Sequence, residues 1–360
     1  FVGQQALLNI ISDHILSDNT QPLICYGKSG SGKSSLIAKS IEANEKNTAN
    51  KVFYRFIGAT KTSNTSRDIL NSIIDEFYFN EITGIPDHTV DIDQESFGEL
   101  SERFKNILLN INENVVLFID AVDQLQNDDR FHWLPTELPS NIKVIITALD
   151  DDEYIDDSTS FKHLKGKTDN RLHISSFKEP TELLNKLLTE FSRTLTTDQL
   201  NYFLNKFKIC PSPLYLNIVA NEIAKWSNYA QEEPITDCFN IEKNALPTTQ
   251  QEAITEFIHN LYLRHHHSKV FIDRILGYLL ASKDGLSETE ILNLITYDDD
   301  FIKVNAPEEW HDNVTKEVPL IHWSRLHAQL KPFLKVINQD KEDLISFHHR
   351  EFVNVISNQL

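Results

Sequence analysis

The first half of the chain alternates between short apolar runs and stretches in which apolar residues recur at helical spacing. Strands are predicted at 23–27, 51–57, 115–120, 143–147 and 171–177. Because several of these runs are apolar at consecutive positions, they are typical of strands buried on both faces. The stretches 4–15 and 67–77 instead show the 3.6-residue period of amphipathic helices. Strands that alternate with helices favour an α/β fold with a mostly parallel sheet covered by helices on both faces.

From residue 179 the apolar residues follow a helical period instead. Stripes at 183–191 and 200–207 predict two helices, and a third begins at the prolines Pro211 and Pro213. The polar segment 228–250 is a predicted linker, and three helices and two strands follow it, which is a winged-helix arrangement. The predicted domains are an α/β nucleotide-binding domain at 1–178, a helical domain at 179–265 and a winged-helix domain at 266–360.

The turn between the first strand and the next helix has a phosphate-binding pattern. Gly27 is followed by four residues and then by Gly32-Lys33-Ser34, which matches G-x-x-x-x-G-K-[ST]. Glycines let backbone N–H groups curl around an anion, and the helix start adds its dipole. We expect Lys33 to reach the β- and γ-phosphates and Ser34 to ligate Mg²⁺. The predicted nucleotide-binding residues of this turn are Gly27, Ser29, Gly30, Ser31, Gly32, Lys33, Ser34 and Ser35.

Two carboxylates and a threonine follow the later strands. Asp120 ends an apolar run and is the expected second Mg²⁺ ligand, the Walker B arrangement. Asp123 is placed to polarise an attacking water, so Asp123 and Lys33 are the predicted catalytic residues. Thr147, at the end of the next strand, is a candidate contact of the γ-phosphate. Since the chain has no N-K-x-D motif for guanine, the sequence favours ATP or ADP with Mg²⁺.

The composition and charge of the chain argue against several classes of function. The chain has 360 residues and no methionine, so we expect it to be a piece of a longer protein. Its net charge of -19 at pH 7 argues against binding of this segment to a nucleic-acid backbone. No apolar run approaches the ~20 residues of a membrane span. The cysteines lack metal spacing and predict reduced thiols in a cytoplasmic protein. The run His265-His266-His267 is expected to be solvated rather than a metal site.

Several motifs occur in a diagnostic order. They are Phe1-Val2-Gly3, the glycine turn, Phe56-Ile57-Gly58-Ala59-Thr60, Ile119-Asp120-Ala121-Val122-Asp123-Gln124-Leu125 and Trp133-Leu134-Pro135. In these motifs the chain resembles NACHT-type STAND NTPases, in particular nephrocystin- and telomerase-component-like proteins and bacterial antiviral STAND (Avs) proteins. The resemblance implies that Val2 and Pro213 also bind the nucleotide and that His349, or else its neighbour His348, reaches the β-phosphate of ADP. One departure is Thr147-Ala148-Leu149, where many members have an arginine in T-S-R.

The resemblance implies an ATP/ADP-dependent switch with slow hydrolysis, in which ADP holds the three domains closed. It further implies a homo-oligomer, tetrameric or larger, after activation. A protein trigger, in the Avs case a phage protein, and an effector such as a nuclease would involve regions outside this chain.

Three other readings stay open: an AAA-like remodelling ATPase, a binding module with a structural nucleotide, and a STAND transcription regulator that binds DNA through its winged helix. The DNA-binding regulator is disfavoured by the negative net charge of the chain. DNA binding also needs a basic recognition helix, whereas the segment 287–296 carries two Glu and no Lys or Arg.

Overall fold

The computed structural model describes the chain in two compact units, 1–179 and 180–360. The described residues are 2–47, 49–58, 64–83, 95–126, 130–150, 160–226, 245–265, 267–282, 284–299, 301, 318–339 and 342–359. Phe1, Ala59, Thr60, Cys238, His266 and most of the predicted linker 228–250 lie outside them. The predicted further division after residue 265 stays a prediction.

A five-stranded sheet with the strand order β2-β3-β4-β1-β5 forms the centre of the first unit, and every neighbouring pair is parallel. In chain order its elements are α1 (Gln5–Leu16), β1 (Leu23–Gly27), α2 (Lys33–Glu45), β2 (Lys51–Phe56), α3 (Ser66–Phe79), α4 (Phe97–Asn110), β3 (Val115–Asp120), a 3₁₀ turn (Val122–Gln124), β4 (Ile142–Leu149), α5 (Ser160–Lys165) and β5 (Arg171–His173). The predicted parallel α/β fold is therefore confirmed.

Each face of the sheet packs against its own set of helices. Leu117 and Ile119 of β3 face a core that includes residues of α3, α4 and α5. Val116 and Phe118 of the same strand point the other way, into a core shared with α1 and α2. Every residue of β3 and β4 is buried. Burial on both faces explains why these strands are apolar at consecutive positions rather than at alternate ones.

The strand register brings the ends of the three central strands to one edge. Ile119 of β3 pairs with Ile146 of β4, so the next residues, Asp120 and Thr147, lie side by side. On the other side of β4, Gly27 at the end of β1 pairs with Leu149. The helix α2 starts from this same edge, and five residues separate it from β1. Residues that are far apart in sequence thus meet where β1 turns into α2.

Two elements of the first unit differ from the sequence prediction. The acidic and irregular sequence of 80–98 predicts a surface loop, but α4 begins inside this stretch at Phe97. Ser96 starts this helix with a reciprocal capping box, in which its hydroxyl accepts from the Glu99 amide and the Glu99 carboxylate accepts from the Ser96 amide. The strand β5 is shorter than predicted, because its pairing with β1 ends with the bond from the Ile174 amide to the Tyr26 carbonyl.

The second unit is mainly helical and carries a three-stranded antiparallel sheet of order β6-β8-β7. Its elements are α6 (Pro180–Glu190), α7 (Thr197–Phe207), α8 (Pro213–Ile223), α9 (Gln250–Leu263), α10 (Lys269–Ala281), β6 (Leu286–Ser287), α11 (Glu288–Thr296), α12 (Leu320–Leu330), a 3₁₀ turn (Lys331–Phe333), β7 (Leu334–Gln339), β8 (Glu342–Phe347) and α13 (Arg350–Gln359).

Aromatic rings join the paired strands of this unit to its helices. The Phe333 ring, just before β7, stacks on Phe352 of α13 with 4.7 Å between centroids. Phe257 of α9 meets Phe333 edge-on at the same distance. Such contacts add to the burial of apolar area, and they hold the junction between β8 and α13 in place. In the part of the chain that is described, no helix is both long and apolar enough to cross a membrane.

Candidate functional site

The turn between β1 and α2 needs glycine for two different reasons. Gly32 has a φ of 93°, in the left-handed region that other residues rarely adopt. At Gly27 the reason is space, because a Cβ atom there would lie 2.5 Å from the carbonyl oxygen of Ile174. The backbone of this turn is thus built from conformations and distances that side chains would disturb.

Two polar side chains and the start of α2 offer groups in this turn that could bind an anion. The Lys33 ammonium donates to the carbonyl oxygens of Gly27, at 2.7 Å, and Lys28, at 2.9 Å. The hydroxyl of Ser31 is buried and has no hydrogen-bond partner among the described residues. The helix α2 starts with neither a side-chain cap nor an acidic residue in its first turn. A buried unpaired hydroxyl, an ammonium group and an uncapped helix start together fit a bound phosphate.

Gln4 makes a hydrogen bond to the backbone of this turn, a contact that the sequence does not predict. Its side-chain amide donates to the carbonyl oxygen of Ser31 at 3.1 Å. Gln4 itself has a φ of 59°, just before α1 begins. The bond ties the segment that contains Val2 to the phosphate-binding turn. Val2 is partly buried, and its contact with a nucleotide stays a prediction.

Asp120 is almost completely buried, with 3% of its surface exposed, and it lies against the first turn of α2. It accepts hydrogen bonds from the hydroxyls of Ser34 and Thr147. Burial raises the pKa of Asp120 above its ordinary value, while these two bonds and the charge of Lys33 act in the opposite direction. The structure therefore brings together the two predicted metal ligands, Ser34 and Asp120. A carboxylate and a hydroxyl are oxygen ligands of the kind that Mg²⁺ prefers.

Asp123 is held beside β4 by the turn that follows β3. Its Oδ1 accepts from the Leu149 amide at 3.1 Å. Ala121, with a φ of 59°, starts this turn, and its amide donates to the Thr147 hydroxyl at 2.7 Å. Both predicted carboxylates are thus fastened to the end of β4. The Thr147 side chain is fully buried and bonded to Asp120, and its predicted contact with a γ-phosphate stays a prediction.

Two of the predicted nucleotide contacts belong to the second unit. Pro213 is the first residue of α8, and the Ser212 hydroxyl caps this helix and accepts from the Gln250 side chain at 2.7 Å. His349 lies just before α13, with its Nε2 3.2 Å from Nδ1 of His348. Burial and the adjacent His348 lower the pKa of His349 to about 4, so its ring is neutral at pH 7. The nucleotide contacts of Pro213 and His349 stay predictions.

The histidine run at 265–267 differs in part from the prediction. His267 is buried rather than solvated, and its Nε2 lies 3.1 Å from the side-chain oxygen of Gln329. Within the described ranges, no group of three or more His, Cys, Asp or Glu side chains is arranged to hold a metal ion.

Comparison with known proteins gives one matching family model and several similar proteins. The family model described as nephrocystin 3, N-terminal matches residues 7–148. Human NACHT domain- and WD repeat-containing protein 1 is 24% identical over 99% of this chain and 23% of its own length. Nephrocystin-3 of Xenopus tropicalis is 22% identical over 76% of this chain and 20% of its own length. The chain thus spans about a fifth of the length of the curated relatives it matches.

One solved structure supports the fold over the whole chain. It is a STAND (signal transduction ATPase with numerous domains) protein with a tetratricopeptide repeat sensor from Pyrococcus horikoshii. Its sequence is 14% identical, the TM-score is 0.51, and the match covers all of this chain and 43% of that protein. Similarity to bacterial antiviral STAND proteins is not shown by these comparisons. The relatives, which are NACHT and WD repeat proteins and nephrocystin-3, together with the fold support the resemblance of this chain to NACHT-type STAND P-loop NTPases.

Proposed function

We propose that this chain is the ATP/ADP-dependent switch core of a larger STAND protein and a slow regulatory ATPase. The observation that carries the proposal is the contact between Ser34 and Asp120 beside the Lys33 ammonium. An ordinary strand-to-helix turn has no need to bury a carboxylate against its first helical residues. This cluster matches what a phosphate with a divalent cation requires.

The residues of the first unit divide the chemistry between them. The backbone of residues 29–35, with Lys33 and the Ser31 hydroxyl, would hold the phosphates, and Ser34 and Asp120 would hold Mg²⁺. When bound, Mg²⁺ neutralises charge on the phosphate oxygens. Asp123 is partly exposed at the same edge, where its carboxylate orients the attacking water and accepts its proton. A general base contributes typically 10²–10⁴-fold to a rate.

The second unit would complete the site in the ADP state. We propose that Pro213 packs on the adenine and that His349 donates one ring N–H to the β-phosphate. The lowered pKa of His349 is compatible with this role, since a neutral imidazole still has one donor nitrogen. A winged-helix domain over 266–360 is part of the proposal. It is supported by the helices α10, α11 and α12 and the antiparallel pair β7–β8, directly after which His349 lies.

Regions outside this chain would supply the trigger and the effector. The name of the human relative includes WD repeats, and the Pyrococcus protein carries a tetratricopeptide repeat sensor. We propose a comparable protein-binding sensor in the parent chain, assembly into a homo-oligomer after activation, and a cytoplasmic location. A phage protein as the trigger is one form of this proposal. An effector shifts such a switch only through its different affinities for the two states.

The proposal predicts that His349→Ala weakens ADP binding about 10–150-fold and leaves ATP binding nearly unchanged. The reason is that the histidine contacts phosphate only when the units are closed on ADP, and one hydrogen bond to a charged group contributes roughly 1.5–3 kcal/mol. Isothermal titration calorimetry of ADP and a non-hydrolysable ATP analogue, both with Mg²⁺, measures the two affinities. Thermal unfolding shows whether the variant is folded.

His348→Ala is the matched control, because it removes the neighbouring ring. Loss of ADP affinity only in the His348 variant would transfer the sensor role to that residue and contradict the assignment to His349. Rapid multiple turnover of ATP by the unmodified chain, near the ~10 s⁻¹ of a typical enzyme, would favour a remodelling ATPase over a switch.

A further inference from the structure

The end of β4 holds both acidic residues of the neighbouring strand. Thr147 binds the Asp120 carboxylate through its hydroxyl, and two residues later the Leu149 amide donates to Asp123. The parallel pairing of Ile119 with Ile146 places these groups side by side. One strand thus positions two carboxylates that are three residues apart in the sequence.

The hydroxyl of Thr147 has no proton left for any other group. The Ala121 amide donates to its oxygen at 2.7 Å. A hydroxyl carries one proton, and that of Thr147 points to Asp120. The side chain has no exposed surface, so water does not compete for these bonds. The hydroxyl therefore bridges the Asp120 carboxylate and the backbone at Ala121, where the chain turns towards Asp123.

The two hydroxyls that contact Asp120 differ in their surroundings. Ser34 is exposed in the first turn of α2, and Thr147 is entirely buried in β4. Ser34 is therefore the one that solvent and a bound cation can reach. Thr147 approaches the same carboxylate from the interior of the sheet.

We infer that Thr147 is a positioning residue for the metal site: it fixes the Asp120 carboxylate and the Ala121 turn, and it does not contact phosphate. This inference rests on the proposed function, because it assigns a role towards the Mg²⁺ that Ser34 and Asp120 would hold. Outer groups that orient a ligand typically change metal affinity 10–100-fold when they are removed. The role differs from that of a γ-phosphate contact, which would alter nucleotide affinity directly.

The test compares Thr147→Val, which keeps the shape and removes the hydroxyl, with Thr147→Ser, which keeps the hydroxyl. Ile145→Val is the matched control, since Ile145 is buried in the same strand and its side chain has no hydrogen-bonding group. Binding of a fluorescent ADP derivative is titrated with Mg²⁺ and is also measured in EDTA. We expect Thr147→Val to raise the Mg²⁺ midpoint about 10–100-fold, with Thr147→Ser and Ile145→Val close to the unmodified protein and all affinities in EDTA equal.

Two results would overturn the inference. One is an unchanged Mg²⁺ midpoint in Thr147→Val; the other is an equal loss of affinity in EDTA, which would show that the hydroxyl contacts the nucleotide. A second readout needs no nucleotide: hydrogen exchange at the Ala121 amide should become faster in Thr147→Val and not in Ile145→Val, and equal exchange would also overturn the inference. If the unmodified protein binds no nucleotide, the proposed function fails, and the exchange comparison still tests the Thr147 bridge.

Discussion

Replacing Lys33 with alanine is expected to abolish measurable nucleotide binding, with a loss of at least ~100-fold in affinity for ADP and ATP. The ammonium group lies across the glycine turn on the carbonyl oxygens of Gly27 and Lys28, where a phosphate chain would meet it. Charge-assisted hydrogen bonds are about twice as strong as neutral ones. A hundredfold loss corresponds to about 2.8 kcal/mol. Calorimetric titration with ADP and Mg²⁺ measures the effect.

The matched control is Lys28→Ala, which removes the same charge from the same turn. Lys28 is exposed, and its carbonyl oxygen accepts from the Lys33 ammonium. We expect its loss to weaken binding only slightly, because exposed charges are screened by salt. Equal ADP affinities in the Lys33 variant and the unmodified protein would remove the glycine turn from the nucleotide site.

Replacing Asp120 with asparagine is expected to eliminate the strengthening of nucleotide binding by Mg²⁺. The substitution keeps the shape and removes the charge of the group that Ser34 contacts. We expect at least a ~100-fold loss of metal affinity, the upper end of what groups that merely support a ligand contribute. Because burial raises the pKa of this carboxylate, the fold penalises its charge, and the variant should be at least as stable as the unmodified protein. Mg²⁺ titration of ADP binding and thermal unfolding check the two expectations.

Asp123→Asn separates metal binding from chemistry. Asp123 accepts from the Leu149 amide, a bond that an asparagine oxygen also makes. We therefore expect this variant to bind Mg²⁺ with nucleotide as the unmodified protein does and to lose about 10²–10⁴-fold in the rate of a single turnover of ATP.

For Asp120→Asn, a Mg²⁺ titration curve identical to that of the unmodified protein would contradict the assignment of Asp120 as a metal ligand.

The sequence was most informative where one local pattern determines both structure and chemistry. The glycine turn is such a place, since its backbone angles, the start of α2 and the position of Lys33 all depend on adjacent residues. The apolar run that ends at Asp120 is another, because burial on both faces leaves its signature at consecutive positions. The parallel sheet and the contact between Ser34 and Asp120 followed from these two motifs.

Contacts that depend on the register of neighbouring strands could not be predicted from the sequence. The Leu149 amide that holds Asp123 is a backbone group, which no residue type reveals. The bridge from Thr147 to Asp120 and Ala121 requires that β3 and β4 be neighbours in one particular register. From the sequence alone, the position of Thr147 at the end of a strand predicts only a contact with the γ-phosphate, and that contact stays a prediction.

Local signals were also overlooked. The capping box at Ser96 and Glu99 marks the start of α4, yet the acidic segment before it favoured a longer loop. In the second unit, the same kind of box starts α11 at Ser287, and its Ser-x-x-Glu pattern is a local signal of this helix start. The burial of His267 against Gln329 joins the connection between α9 and α10 to α12, and helical spacing alone does not report such a partner.

The measurement that tests the central claim most directly is hydrogen–deuterium exchange of the full chain with and without ADP and Mg²⁺. If ADP joins the two units, amides of residues 28–36 should exchange more slowly, and so should those of the segments that begin α8 at Pro213 and α13 after His349. Lys33→Ala should remove all of this protection. Protection of the glycine turn by bound ADP with unchanged exchange at both segments of the second unit would contradict the account.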